Sequence, residues 1–418
     1  MAAMPDPAFH RRFLLPRLTE ALADTPVVLI HGPRQCGKTT LARQVGDAAG
    51  YAYVSFDDDL QRAAAQTDPI GFVADLPEKV VLDEVQRVPS LFTSLKAAVD
   101  KRRKPGRFIL TGSANVLLVP TLADSLAGRM EVLRLHPLAQ SELAGVEPEF
   151  LNALFDKGFK SGSTGRRLGK TLAAHVAAGG FPAALARSTA RRRASWYREY
   201  ADSLVQRDVR DLARIGALDA LPRLLALAAG QTARLINVAE LSAPFQLSRP
   251  TVRDYMTLLA RVFLLEELPP WHSNRLSRLI KTPKLHVCDT GLACALLGID
   301  AAALWEDRAL YGQLLETFVY QELRRQASWQ EELISFHHYR DKEGLEADVV
   351  LESGGKIAGI EIKSVATVTA ADFKGLQKLK TATGKRFGRG VVLYDGDAVA
   401  SFGDGLIAVP ISMLWEMQ

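Results

Sequence analysis

The sequence predicts an α/β protein: a core built on a parallel sheet, then a helical and winged-helix middle region, then a second α/β domain. Two observations predict the core. Strand-like and helix-like stretches alternate over residues 27–145, which is typical of a parallel sheet with helical crossovers. In addition, a glycine-rich loop separates an apolar strand at residues 27–30 from a helix that begins at Lys38.

The composition limits the class of protein. At 418 residues the chain exceeds what one hydrophobic core usually supports, so two or three domains are expected. A hydrophobic content of 48% with 24% charged residues is that of a soluble globular protein, and no apolar run of 18 residues predicts a membrane span. Three cysteines at Cys36, Cys288 and Cys294 are too few for a disulfide framework, so we expect a cytoplasmic protein.

The loop at residues 32–40 has the pattern G-x-x-x-x-G-K-[ST]. Its backbone N–H groups and the positive end of the following helix attract an anion. In this pattern, Lys38 reaches the β- and γ-phosphates and the Thr39 hydroxyl ligates Mg²⁺. The sequence therefore predicts ATP and Mg²⁺ as ligands, with ATP bound by Gly32, Pro33, Arg34, Gln35, Cys36, Gly37, Lys38, Thr39 and Thr40.

Two carboxylates follow a predicted strand at residues 80–84, which ends in Asp83 and Glu84. The carboxyl ends of parallel strands form the ligand-binding edge of such sheets. We therefore expect Asp83 to hold Mg²⁺, together with Thr39, and Glu84 to polarise the attacking water. The alternative is a strand that ends in a solvated acidic turn.

Two further catalytic candidates follow. The strand at residues 108–111 is followed by Ser113 and Asn115, either of which is expected to sense the γ-phosphate or simply to cap a helix. Arg129 precedes the strand at residues 130–135, and it is expected near the phosphate edge, where its charge would stabilise a transition state. The alternative for Arg129 is a surface arginine in a turn.

The middle of the chain carries two patterns that suit an anionic partner. Residues 187–223 contain nine arginines against five acids, as expected of a solvated helix face or of a nucleic-acid or subunit contact. Residues 236–262 predict a helix-turn-helix, followed by a strand of a wing at residues 263–268. Its second helix would present Arg249, Thr251 and Arg253 to DNA. The alternative is a winged helix that only joins domains.

Acidic residues and a lysine recur in the last hundred residues. Asp348 lies on a predicted strand at residues 347–351, and a turn at Gly354 and Gly355 separates it from a neighbouring strand that contains Glu361-Ile-Lys363. Glu316 lies on a preceding helix. Alternation puts Glu361 and Lys363 on one face of their strand. Asp348 and Glu361 would then share a divalent metal, Mg²⁺ or Mn²⁺, supported by Glu316, with Lys363 orienting a water. The alternative is a row of polar residues on a half-exposed sheet.

These motifs resemble those of bacterial and archaeal AAA+ P-loop ATPases related to the STAND and archaeal ATPase clade. The similarity rests on the loop at residues 32–40, Val-Leu-Asp-Glu-Val-Gln at 81–86, Leu-Thr-Gly-Ser-Ala at 110–114 and Gly-Arg-x₅-Leu-x-Pro-Leu at 128–138. The resemblance implies an ATP hydrolase whose relatives often form rings, so a homo-oligomeric ring is expected.

The resemblance extends to the C-terminal part, which in this family is a domain of unassigned function. It is carried by residues 289–292, 315–323, 339–340, 346–348 and 361–363. It implies a fold similar to PD-(D/E)xK restriction endonucleases, and hence an ancestral nuclease site at Asp348, Glu361 and Lys363.

The expected domains are an AAA+ P-loop ATPase domain at residues 1–150, a linker and helical lid region at 151–229, a winged helix-turn-helix at 230–283 and a nuclease-like domain at 284–418. Three functions fit them: an ATP-driven DNA-processing protein whose tail cuts or grips DNA, a DNA motor with a degenerate tail, and a signalling or regulatory switch that binds no nucleic acid. We favour an ATPase linked to DNA, with nuclease activity left open.

Overall fold

The structure is a computed structural model, and it describes residues 10–113, 126–209, 220–273 and 282–418. The chain divides into two compact units. We call residues 12–138 with 258–263 the N-terminal unit, and residues 139–257 with 264–418 the C-terminal unit. Asn115, most of the link between β4 and β5, residues 210–219 of the arginine-rich stretch and residues 274–281 of the predicted winged helix-turn-helix domain lie outside the described residues.

The N-terminal unit is built on a five-stranded sheet. Its strands are β1 Val27–His31, β2 Ala52–Ser55, β3 Val80–Asp83, β4 Phe108–Gly112 and β5 Met130–Arg134. Their order is β2-β3-β4-β1-β5, and every neighbouring pair is parallel. The predicted α/β core with a parallel sheet is thus confirmed, and the predicted strands differ from the observed ones by only a residue or so at their ends.

Helix α1 Leu15–Asp24 precedes β1, and α2 Lys38–Ala48, α3 Asp59–Thr67, α4 Pro69–Ala74 and α5 Leu91–Lys101 connect the strands. The first helix begins at Leu15. Pro16 lies in its first turn, where the ring fixes a helical φ and no N–H is needed. The core beneath the helices contains the fully buried Leu29, Leu82, Phe108 and Leu110, one or two from each central strand.

The register of the sheet brings three chain segments to one edge. Val27 pairs with Phe108, and Val80 also pairs with Phe108. Because β1, β3 and β4 therefore start level and run in the same direction, they also end near one another. The loop after β1, the end of β3 and the residues after β4 consequently meet at the carboxyl edge.

The C-terminal unit contains a six-stranded mixed sheet and one of three strands. The larger sheet has the order β13-β14-β12-β11-β10-β9, with β11, β12 and β14 parallel and the other neighbours antiparallel. Its strands are β9 Ser335–Arg340, β10 Glu346–Ser353, β11 Lys356–Lys363, β12 Phe387–Tyr394, β13 Ala400–Ser401 and β14 Leu406–Pro410. The smaller antiparallel sheet has the order β6-β8-β7, with β6 Arg234–Leu235, β7 Leu265–Leu268 and β8 Lys284–Val287.

Thirteen α-helices follow residue 139 in the described parts of the chain. They are α6 Gln140–Ala144, α7 Phe150–Asn152, α8 Lys170–Ala178, α9 Pro182–Leu185, α10 Ala190–Ser203, α11 Ala220–Gly230, α12 Val238–Ser242, α13 Arg249–Arg261, α14 Thr290–Leu297, α15 Ala301–Glu306, α16 Arg308–Ala327, α17 Lys374–Thr383 and α18 Met413–Glu416. No helix among the described residues combines the length and the apolar character that crossing a bilayer requires.

Candidate active site

The glycine-rich loop folds tightly after β1. Gly32 has a φ of 155°, and a Cβ there would lie 2.1 Å from the carbonyl oxygen of Leu135. Gly37 has a φ of 100° and precedes the first residue of α2. Both positions therefore need glycine, one for the close approach of backbone and one for its conformation. Gln35, between them, also has a positive φ, of 58°.

Lys38 is a buried cation within this loop. The residue is only 4% exposed, and its Nζ donates a hydrogen bond to the Pro33 carbonyl oxygen at 2.8 Å. A buried charge is costly unless an anion compensates it. Since this hydrogen bond goes to a neutral carbonyl of the loop, and Lys38 begins a helix, the ammonium and the loop amides fit a bound polyphosphate.

The Asp83 carboxylate accepts hydrogen bonds from hydroxyl groups on three different elements. Thr39 Oγ1 donates to its Oδ1 at 2.8 Å, the Tyr53 hydroxyl donates to its Oδ2 at 2.8 Å, and Thr111 Oγ1 also donates to Oδ1. The structure thus brings together Thr39 and Asp83, the two predicted Mg²⁺ ligands. A hydroxyl and a carboxylate are oxygen donors of the kind that Mg²⁺ prefers, so the pair fits the ion that accompanies a nucleotide.

Glu84 is held in a strained backbone conformation beside this group. Its φ is 58°, and its N–H donates to Thr111 Oγ1 at 3.1 Å. Its Oε2 accepts a hydrogen bond from Ser113 Oγ at 2.7 Å and another from Gln86 Nε2, which also donates to Ser113 Oγ at 2.9 Å. A non-glycine residue at positive φ is uncommon, and such residues cluster at functional sites.

The electrostatics keep Glu84 ionised. Burial by itself would raise the pKa of this carboxyl group. The charge of Lys38, the hydrogen bonds from Gln86 and Ser113, and the charge of Arg34 outweigh burial and lower the pKa below its ordinary value. A deprotonated carboxylate can accept a hydrogen bond from a water, as the predicted role of Glu84 requires.

Arg12 is a component of the site that the sequence did not indicate. One of its terminal nitrogens donates to the Cys36 carbonyl oxygen at 2.7 Å, and the other donates to the His136 carbonyl oxygen at 2.6 Å. The side chain thus ties the glycine-rich loop to the chain that follows β5. Both acceptors are main-chain carbonyl groups, which every residue has. No pattern of side chains in the sequence therefore indicates this contact. Cys36 itself is buried, and its Sγ donates to Leu135 O at 3.4 Å.

The predicted position of Arg129 at the phosphate edge is wrong. Arg129 directly precedes β5, whose first residue, Met130, pairs with Val27 at the start of β1. The glycine-rich loop follows the end of β1, roughly 16 Å further along the strand direction at 3.3 Å per residue. Arg129 instead forms an ion pair with Asp100 at the opposite edge of the sheet. The prediction failed because it did not take the direction of β5 into account. Arg129 lies at the start of this strand, and the phosphate edge lies at the end of it.

The predicted nuclease residues do converge, but around a lysine. Lys284, the first residue of β8, is 3% exposed. Its Nζ lies 2.7 Å from Glu316 Oε1, 3.3 Å from Asp348 Oδ1 and 3.7 Å from Glu346 Oε2. No group of three potential metal ligands was found among the described residues. The predicted second metal site at Asp348 and Glu361 is therefore not supported, and an ammonium group lies within 4 Å of the carboxylates of Glu316, Glu346 and Asp348.

Glu361 and Lys363 face the same side of β11, as alternation predicts, and they pair with each other at 2.8 Å. The neighbouring Ile362 N–H donates to Asp348 Oδ2 at 2.9 Å. Burial, and then the charge of Asp348, raise the pKa of Glu361 to about 8 against the opposing effect of Lys363. Burial and the charge of Asp348 also raise the pKa of Glu316 well above its ordinary value. Both carboxyl groups therefore hold a proton to higher pH than an exposed glutamate does.

The three predicted DNA contacts lie at the start of α13. Arg249 and Arg253 are exposed, and Thr251 is half-buried. Ser248 Oγ accepts a hydrogen bond from the Thr251 N–H at 3.2 Å and forms another with the Thr251 hydroxyl at 2.7 Å, so Ser248 caps the helix. Since the Thr251 hydroxyl has an internal partner, the two arginines are the better candidates for an external contact.

Three family models match successive parts of the chain. Residues 24–144 match an AAA domain. Residues 169–303 and 311–414 match two domains of unknown function, DUF8612 and DUF4143. The C-terminal part thus has no assigned function in its family, as predicted.

Two curated relatives span nearly the whole chain. They are the uncharacterized protein Rv2008c of Mycobacterium tuberculosis and the uncharacterized protein Mb2031c of Mycobacterium bovis. Each is 30% identical over 409 residues, which is 97% of this chain and 84% of the relative.

Solved structures with partial similarity include ATPases. The Walker-type ATPase paby2304 of Pyrococcus abyssi is 16% identical, with a TM-score of 0.42 over 68% of this chain and 94% of that one. The RuvB Holliday junction branch migration motor of Thermotoga maritima is 17% identical, with a TM-score of 0.30 over 62% of this chain and 91% of that one. On the AAA domain model and the mycobacterial relatives, the chain belongs to the AAA-type P-loop ATPases, in a family whose C-terminal domain has no assigned function.

Proposed function

We propose that this protein is a Mg²⁺-dependent ATP hydrolase that binds DNA and couples hydrolysis to the processing or remodelling of DNA. The main support for ATP hydrolysis is the arrangement of side chains at the carboxyl edge of the N-terminal sheet. There the buried ammonium of Lys38, the Thr39–Asp83 pair and the ionised Glu84 all lie at the ends of neighbouring strands.

Each residue has a distinct task in this proposal. The loop amides and Lys38 bind the β- and γ-phosphates and balance their charge. Thr39 and Asp83 hold the Mg²⁺, which would neutralise charge that develops on the phosphate oxygens. Glu84 accepts a hydrogen bond from the attacking water, and Ser113 fixes the orientation of its carboxylate. Such positioning accounts for most of the catalysis of phosphoryl transfer.

Arg129 enters the proposal only through a second copy of the chain. It cannot reach the loop of its own chain, because it lies at the other edge of the sheet. In a homo-oligomeric ring, Arg129 would instead approach the γ-phosphate bound to a neighbouring copy. Mixing tests this: Arg129→Ala and Lys38→Ala proteins are each expected to be inactive, and together to regain part of the ATPase activity. A mixture that stays as inactive as its components would remove Arg129 from the mechanism.

The DNA part of the proposal is supported by the middle region. A helix, a short strand, two helices and two further strands follow one another, and the three strands have the order β6-β8-β7. This succession is compatible with a winged helix, in which α13 would enter a major groove. Exposed arginines at 249 and 253, with others at 191, 192 and 198 on α10, supply positive charge for phosphates. The four predicted domains, 1–150, 151–229, 230–283 and 284–418, remain part of this proposal.

The test compares ATP turnover with and without duplex, forked and single-stranded DNA, together with DNA affinity at several salt concentrations. Replacing Arg249 and Arg253 by alanine should weaken binding and lower the slope of log affinity against log salt by about 1.8, since each phosphate contact contributes about 0.9. The matched control replaces two exposed lysines of α17, Lys374 and Lys378. Equal effects of the two double variants would show that α13 makes no particular contact.

A second function has one observation in its favour. Lys284 fills the carboxylate cluster of the C-terminal unit with an ammonium group, as suits a non-catalytic interaction domain. The protein would then be an ATP-dependent signalling or regulatory switch. DNA affinity separates the two functions, because a regulatory switch of this kind should bind no DNA even at low salt, where phosphate contacts are strongest.

A further inference from the structure

Four acidic side chains from three elements surround Lys284 or lie beside it in the C-terminal unit. Glu316 comes from α16, Glu346 and Asp348 from β10, and Glu361 from β11. The first three have an oxygen within 4 Å of Lys284 Nζ. The ammonium thus lies at the point where the carboxylates converge.

The hydrogen bonds of the cluster direct its oxygens toward that point. Asp348 Oδ2 is fixed by the Ile362 N–H at 2.9 Å, which leaves Oδ1 facing Lys284 at 3.3 Å. On the neighbouring strand, Glu361 Oε1 pairs with Lys363. Its Oε2 is buried and has no hydrogen-bond partner among the described residues. Carboxylate oxygens on two adjacent strands and a helix are therefore held in place, and one of them is unsatisfied.

Such a donor set suits a hard divalent cation, but the site as built does not fit one. Mg²⁺ and Mn²⁺ require carboxylate oxygens at about 2.0 to 2.2 Å. An ion bound to both Glu316 and Asp348 would have to lie where the Lys284 nitrogen lies. A divalent ion beside a buried ammonium would meet strong repulsion in a medium of low dielectric constant. The lysine is itself only 3% exposed, and it is the first residue of β8.

We propose that Lys284 is the resident cation of this cluster, that it excludes a divalent metal from Glu316, Asp348 and Glu361, and that its removal would create a divalent metal site there. The native C-terminal unit then holds a fixed ion-pair cluster, and metal-dependent cleavage of phosphodiester bonds does not occur at these residues. This inference does not depend on the proposed ATPase cycle, because all of its residues belong to the C-terminal unit.

The experiment titrates nucleotide-free, full-length protein with Mn²⁺ and counts bound ions by electron paramagnetic resonance. The set comprises the native chain and the variants Lys284→Met, Lys284→Arg, Asp348→Asn and the double variant Lys284→Met/Asp348→Asn. Lys284→Met removes the charge but keeps much of the apolar stem, and Lys284→Arg keeps the charge. The ATP site is identical in every protein, so differences in binding come from the cluster.

The proposal expects one additional Mn²⁺ per chain in Lys284→Met, and its loss in the double variant. The native protein and Lys284→Arg should bind no ion that depends on Asp348. If the native chain loses a bound Mn²⁺ on Asp348→Asn, the lysine does not exclude the metal, and the proposal is overturned. A folded Lys284→Met chain without the additional ion also overturns it.

Lys284→Met leaves buried carboxylates without their counter-ion and is expected to be less stable. A second measurement therefore follows the melting temperature of the same proteins with and without Mn²⁺. The ion should raise the melting temperature of Lys284→Met more than that of the double variant, and leave the native value unchanged. The same small response to Mn²⁺ in all three proteins contradicts the proposal, even if the variant is partly unfolded at the start.

Discussion

Ser113 offers the sharpest test of how the site positions Glu84. Its hydroxyl donates to the Glu84 carboxylate at 2.7 Å and accepts from Gln86 at 2.9 Å. A hydrogen bond to a charged group contributes about 1.5 to 3 kcal/mol. We expect this hydrogen bond to stabilise the transition state, in which Glu84 orients the attacking water. Ser113→Ala should therefore lower kcat by about 10-fold to about 100-fold, because 1.36 kcal/mol is a factor of ten in rate. The affinity for ATP should change by less than about 2-fold, since the hydroxyl is not part of the glycine-rich loop.

The pH dependence of Ser113→Ala supplies a signature that general damage to the fold would not produce. The hydrogen bond from Ser113 helps to lower the pKa of Glu84. Its loss should raise that pKa, so the acidic limb of the pH profile of kcat should move to higher pH. The matched control is Ser94→Ala, which removes another buried hydroxyl, on α5 of the same unit. An unchanged kcat, or an ATP affinity that falls as much as kcat, would refute the proposed role.

Three further predictions concern other parts of the molecule. Lys38→Ala should abolish ATP turnover and weaken ATP binding by at least about 100-fold, because it removes the buried charge that faces the phosphates. A phosphate-release assay measures the turnover and calorimetry measures the binding. Normal turnover would mean that the site is misplaced. Arg12→Ala should weaken ATP binding by about 10-fold to about 100-fold, since two charged hydrogen bonds that hold the loop are lost, whereas Arg17→Ala should leave calorimetric affinity unchanged. Burial raises the pKa of Glu361 from 4.5 to about 8, so the folded chain retains a proton that the unfolded chain loses, and native stability falls as the pH rises through this range. Glu361→Gln cannot ionise there, and urea unfolding should show its stability relative to the native chain rising from pH 5 to pH 8; a constant difference would contradict the raised pKa.

The short-range patterns of the N-terminal unit were sufficient to predict that Thr39 and Asp83 lie together beside the glycine-rich loop. Gly32 and Gly37 flank a loop between a buried strand and a helix, and this local arrangement by itself sets where the backbone N–H groups point. Asp83 ends an apolar strand, and in a parallel sheet strand ends meet at one edge. Strand, loop and carboxylate are each encoded within about ten residues, so no knowledge of distant contacts was needed to expect Thr39 beside Asp83.

The contacts that depend on chain direction or on distant partners could not be predicted. The sequence around Arg129 does not state which end of β5 faces the loop, and only the pairing of Met130 with Val27 decides it. Arg12 binds main-chain carbonyl groups more than 20 residues away in sequence, and every residue has such a carbonyl. Both features depend on how the strands are arranged in space, which local patterns leave open.

The C-terminal unit shows the same division most clearly. The sequence determined that Glu361 and Lys363 share one face of a strand, because side chains alternate with a period of two. It could not determine that Lys284, 64 residues before Asp348, lies between the carboxylates. A buried charge is recognisable only once its surroundings are known, since the cost of burial and the partners that offset it belong to the folded state. The sequence by itself therefore determined which acidic residues gather, and the tertiary structure alone decided which cation they gather around.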